Sequence, residues 1–164
     1  MTIFRIQAIK PKHVDRAKVF DAVIEHRYDV LAGQIKRDFE DITETWEHKP
    51  KFNIRKTKRS GVLGITVTTS DRIFGYVNHG TEPHTITPVN APALRFQSGY
   101  KAKSRPGWIG SQDGGSYGDT VFAQAVNHPG TEARKFDVAI ARRRQKSLQS
   151  QLNQDLAKAA RKLK

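Results

Sequence analysis

His79 and His84 lie five residues apart, and His128 sits in a later stretch that echoes the first. Val77-Asn78-His79-Gly80-Thr81-Glu82-Pro83 is answered by Val126-Asn127-His128-Pro129-Gly130-Thr131-Glu132. Such an echo has two chemical uses. Imidazoles from both copies would hold a divalent metal for hydrolysis. Alternatively Thr81 and Thr131, each after a glycine and near a histidine, would act as hydroxyl nucleophiles. The surrounding pattern supports neither. The metal-ligand spacings HExxH and the Cys/His knuckle are absent, and the chain has no cysteine. A GxSxG elbow and an S-x-x-K pair are also absent. Gly80-Thr81 and Gly114-Gly115 are too short to cradle a phosphate. A nuclease needs clustered carboxylates, whereas Asp38, Glu40, Asp41, Glu44 and Glu47 fall along one expected helix and read as its solvated face.

The alternative is two structural turns. Glycine at 80 and 130 takes a positive φ and stops an element. The threonine after it hydrogen-bonds backbone and starts the next segment. Pro83 and Pro129 stiffen the two copies, and the histidines cap turns or face solvent. On this reading the copies form two corners of one sheet.

The elements that position these turns follow from periodicity. Residues 2–9 alternate as a short strand, with Phe4, Ile6 and Ala8 on one side, and Pro11 ends it. A long helix follows over about 14–46, because Phe20, Ile24, Tyr28, Leu31, Ile35, Phe39, Ile42 and Trp46 recur at helical spacing. That stripe suits a core helix across a sheet, or a coiled-coil seam. Gly33 weakens the helix and can kink it. Residues 52–58 and 62–69 read as a hairpin turning at Arg59-Ser60-Gly61. A short helix covers 71–78, and short strands cover 84–88, 93–97 and 120–127.

Residues 97–118 differ in character. Six glycines with Lys101, Lys103 and Arg105 suggest a flexible surface loop or hairpin tip, and Trp108-Ile109 at its middle suggests a partner surface. A last helix covers about 135–163, with a stripe of Phe136, Ile140, Leu148, Leu152, Leu156, Ala159 and Leu163. It is strongly basic, with Arg142-Arg143-Arg144 at its centre. The fold class expected is α+β: a single domain over 1–164, with an antiparallel sheet of short strands packed by a long N-terminal and a long C-terminal helix.

The chain has 164 residues and a formal net charge of +13. Mean hydropathy is −0.64. The charge points to acidic partners, whether nucleic acid, protein or anionic lipid. The first residues lack the pattern of a signal peptide, and no apolar run approaches the ~20 residues that span a bilayer. A soluble protein without membrane contact is expected.

The run Phe74-Gly75-Tyr76 through Phe96, then Val121 through Phe136 and a C-terminal helix, resembles the tail-completion and neck proteins of long-tailed bacteriophages, including minor tail protein Z-like and head–tail joining families. The pattern is Tyr76, Gly80 and Thr81, then His84, Ile86 and Pro88, then Leu94 and Phe96. After a variable loop come His128, Pro129, Gly130, Thr131 and Phe136, a buried phenylalanine that opens the last helix. The resemblance spans about 14–164. It implies a structural virion protein that completes the tail or joins it to the head, as a ring commonly of six subunits, located in the tail or neck and in the host cytoplasm during assembly. Its partners would be its own copies, tail tube and head–tail connector proteins, with passing contact to genomic DNA. It implies no catalysis, cofactor or metal. Ring contacts are expected from Lys101, Lys103, Arg105, Trp108, Ile109, Arg142, Arg143 and Arg144. The rival reading is a basic nucleic-acid-binding protein outside any virion, although aromatic residues interleaved with the basic run are missing.

Overall fold

Helical periodicity over residues 17–42 and strand periodicity over residues 53–68 produce much of the regular part of the molecule. In the computed structural model, residues 2–7 and 17–161 are described, those of 2–7 by their backbone. The expected strand end at Pro11, the helix start at 14, and Leu163 lie outside the described residues. The elements are β1 (Thr2–Gln7), α1 (Ala17–Ile42), β2 (Asn53–Arg59), β3 (Val62–Thr68), α2 (Arg72–His79), β4 (His84–Ile86), β5 (Leu94–Gln97), β6 (Tyr100–Lys101), β7 (Gly115–Ser116), β8 (Thr120–Ala123), β9 (Val126–His128) and α3 (Phe136–Arg161). The fold class is α+β, with short antiparallel strands in small sheets rather than in one. The chain divides into two compact units.

The described residues of the first unit fall within Met1–Glu40, Lys51–Ser70 and Asp137–Lys164. Its sheet is antiparallel in the order β1-β3-β2. Strand β3 is central, and Leu63, Ile65 and Val67 are buried on it. The β2–β3 hairpin closes through Ser60 (φ 49°) and Gly61 (φ 75°), the two left-handed residues of a tight hairpin turn. Helix α1 runs unbroken through Gly33 and buries Tyr28, Leu31, Ile35, Phe39 and Ile42, five of the eight residues of the expected stripe. Fully burying an isoleucine such as Ile35 or Ile65 stabilises by roughly 1.5–3 kcal/mol. Phe39 packs on Phe52 at 5.0 Å between ring centroids. The Tyr28 hydroxyl enters the β2–β3 ladder: it donates to the Gly64 carbonyl at 2.6 Å and accepts from the Thr57 amide at 2.8 Å. Burial pushes its pKa up, against the opposing effects of the Thr57 amide and Lys56.

Two ion pairs tie α1 to α3 in this unit. Arg27 meets Asp155 and Gln151. Arg144 grips Asp38 through Nε and one terminal nitrogen, at 2.6 and 2.5 Å. Asp38 is 2% exposed. It therefore does not belong to the solvated face expected of the first helix. The 3-4 spacing places it between Ile35 and Ile42, and a carboxylate can occupy that stripe only because a guanidinium reaches it.

The described residues of the second unit fall within Asp41–Pro50 and Asp71–Phe136. Its strands are nested. Thr81 bridges Thr131, β4 pairs β9, β5 pairs β8, and β6 pairs β7. Each pair encloses the next, so 81–131 is one long antiparallel excursion that departs and returns on itself. Its register slips where the outgoing chain carries the Pro88–Pro92 link and the returning chain only Gln124-Ala125, which is why the strand expected over 120–127 is broken there. Helix α2 starts at Asp71, whose carboxylate accepts from the Phe74 amide at 2.7 Å, and stops at Gly80. Among the described residues, no helix is long and apolar enough to cross a membrane.

Candidate functional site

The echo stretches meet. Thr81 and Thr131 exchange both backbone hydrogen bonds at 3.0 Å, and the Thr131 amide also reaches the Thr81 hydroxyl. Gly80 and Gly130 flank this pair with φ of 80° and 88°. A Cβ on Gly80 would stand 2.7 Å from the Thr131 carbonyl oxygen, and one on Gly130 would press still closer on that of Thr81. The glycines are therefore required twice, for their dihedrals and for the approach of the two chains. The copies are not separate corners of a sheet. They are the two sides of one stem.

The histidines serve the same stem. His84 and His128 face each other across β4–β9, with ring centroids 5.1 Å apart. His84 Nδ1 donates to the Glu82 carbonyl at 2.8 Å, while His128 Nδ1 accepts from the Gly130 amide at 3.0 Å. His79 contacts the neighbouring Asn78 side chain. Among the described residues, no group of three His, Asp or Glu side chains is arranged to hold a metal ion.

The two asparagines of the echo do different work. Asn127 meets Thr85 on the ribbon surface at 2.9 Å. Asn78 is buried, and its side-chain oxygen accepts from the Phe136 amide at 2.8 Å while its carbonyl accepts from the Lys135 amide. It supplies an N-cap to α3 from a distant segment. Phe136, fully buried, stacks on Phe74 at 5.9 Å, and Phe74 on Trp46 at 6.2 Å. Sequence reasoning missed the role of Asn78. No local pattern names it, because Asn78 stands 58 residues before the amide it caps. Tyr76 is half exposed and takes a hydrogen bond from Arg72. Pro88 is half-buried at the link.

The glycine-rich segment carries the β6–β7 hairpin, and hydrogen bonds cross it. The Gly107 amide donates to the Arg134 carbonyl, the Gln112 amide to the Lys103 carbonyl, and the Gln112 side chain to the Ala102 carbonyl. Lys103 is half-buried and donates to the Thr45 carbonyl at 3.0 Å. Arg144 is likewise withdrawn, into its pair with Asp38. The candidates that do face outward are Lys101, stacked over Tyr117, with Arg105, Trp108, Arg142 and Arg143; Ile109 is half-buried. Large apolar side chains join them on the ribbon: Tyr100, Tyr117 and Phe122 are each about two-thirds exposed. A two-stranded ribbon with aromatic residues in water is marginal alone.

No family model, curated protein or solved structure matches the chain.

Proposed function

We propose that the chain is a structural protein of a tailed-phage virion, a ring subunit that completes the tail or joins it to the head. The reading rests on the resemblance carried by Gly80-Thr81, His84, His128-Pro129-Gly130-Thr131 and Phe136. The observation that carries it is the reciprocal Thr81–Thr131 pair. It joins Gly80-Thr81 to Gly130-Thr131, and the β4–β9 pairing beside it sets His84 opposite His128. The ribbon and its exposed aromatic residues are the surfaces a ring subunit presents to its neighbours, which in a closed ring must be two different patches. Complementary charge would then set register and assembly rate more than affinity.

The nucleic-acid alternative draws on the net charge. Arg144 is the central obstacle, because the run Arg142-Arg143-Arg144 offers two outward charges rather than three. Light scattering after nuclease treatment tests both readings. A closed oligomer of about six subunits, counted by electron microscopy, is expected. A monomer at all concentrations whose DNA affinity falls steeply with salt would replace the virion reading with the alternative.

A further inference from the structure

The second unit contains a cavity of about 600 Å³ between the turn after α1, helix α2, the base of the β6–β7 hairpin and the strand after Thr131. Trp46, Tyr100, Lys103, Tyr117 and Arg134 are among its walls. Two side-chain nitrogens in the described residues are sealed from solvent without an acceptor, the indole nitrogen of Trp46 and Nε of Arg134. Both residues line this cavity, with the two nitrogens themselves covered. The Arg134 side chain is 13% exposed, and its ion-pair partner is the exposed carboxylate of Glu132, at 3.4 Å. A guanidinium so far out of water, with one long ion-pair contact and its Nε without an acceptor, is poorly compensated. Such a group is a donor whose charge an anion in the cavity would compensate.

We propose that this cavity binds a carboxylate side chain of an acidic peptide segment on a partner protein. A planar guanidinium matches a carboxylate through paired hydrogen bonds. The local charge favours a single negative charge over a phosphate dianion, because Glu47 offsets one of the two cationic walls, Lys103 and Arg134. The volume admits several residues of extended chain. Exposed Tyr100 and Tyr117 supply rigid aromatic sides for the peptide backbone, at little entropic cost. The site does not depend on the virion reading, and its test does not use the oligomer mass.

The test uses the full chain carrying Trp108→Phe, which leaves Trp46 as the one indole. The probes are acetyl-Gly-Tyr-Glu-Asp-Gly-amide, its Gln-Asn counterpart, and inorganic phosphate. The reporter is the Trp46 indole N–H cross-peak. A saturable shift with the acidic peptide is expected, at least about tenfold weaker with the neutral one, and lost in Arg134→Gln. The absence of saturation, or equal binding of both peptides, would overturn the proposal. Phosphate displacing the peptide at lower concentration would assign the site to a phosphoryl group instead. Should Arg134→Gln not fold, Tyr117→Ala on the exposed rim is expected to weaken the acidic peptide several-fold, and unchanged affinity there would equally overturn the site.

Discussion

The two units solve the same problem with different materials. In the first, three long elements bring Leu31, Ile35, Phe39, Leu63, Ile65 and Ile140 together, and stability comes from apolar burial with one buried ion pair set into it. In the second, strands of two to four residues cannot bury much, and the interior is a short aromatic row of Trp46, Phe74 and Phe136. There the chain is held by main-chain geometry: the Thr81–Thr131 exchange, the Asp71 cap and the Asn78 cap. The first unit should therefore be sensitive to side-chain volume and charge, and the second to backbone freedom.

The largest effect expected is in the first unit. Arg144→Ala leaves Asp38 charged and buried, with Arg143 only at 3.7 Å and half exposed. A loss of about 3 kcal/mol is expected in urea unfolding. The double variant Asp38→Leu, Arg144→Met should return to within about 1 kcal/mol of the parent. A double variant as weak as the single one would show that packing, not the unpaired charge, is at stake.

Next comes Gly130→Ala, which breaks the second unit without touching an apolar residue. The left-handed φ and the Thr81 carbonyl together should cost about 2–3 kcal/mol. Unchanged stability would mean that the stem is not what holds this unit.

Asp71→Ala removes the α2 cap and should cost about 1 kcal/mol. Burial raises the Asp71 pKa, but the Phe74 amide and His48 outweigh it, so the carboxyl stands below its ordinary 3.8. The stabilisation is therefore present above about pH 4 and is lost as pH falls through the depressed value. The parent should lose more stability than Asp71→Ala over that descent, and parallel pH profiles would contradict it.

The smallest change has the opposite sign and sharpens the contrast. Gly33→Ala meets nothing within 4 Å inside α1 and should stabilise by up to about 1 kcal/mol in thermal unfolding. The same substitution that breaks the stem thus strengthens the helix.

Legibility in the sequence follows the same division. The stripe from Tyr28 to Ile42 and the hairpin about Ser60-Gly61 were readable because long regular elements impose a period on side chains. Asp38 broke the pattern, since its partner lies more than a hundred residues away and no local rule names it. In the second unit, Gly80, Thr81, Gly130 and Thr131 announced turns but not that the turns pair. Strands as short as β6 and β7 leave no period to read. The cavity was invisible for a related reason: Trp46 looked like the end of a helical stripe, and Arg134 like one more basic residue before the last helix.

The nested stem has a consequence for how the chain can change. Across an antiparallel bridge such as Thr81–Thr131, the two Cα atoms stand only about 4.5–5.5 Å apart. Everything between them enters and leaves through one doorway, as an exchangeable cassette does. Doubling the length of such an insert raises its closure cost by only about 0.6 kcal/mol. The arm can be lengthened, trimmed or rewritten while the doorway keeps its hydrogen bonds. New contact surfaces can therefore be tried on this scaffold without re-solving its fold.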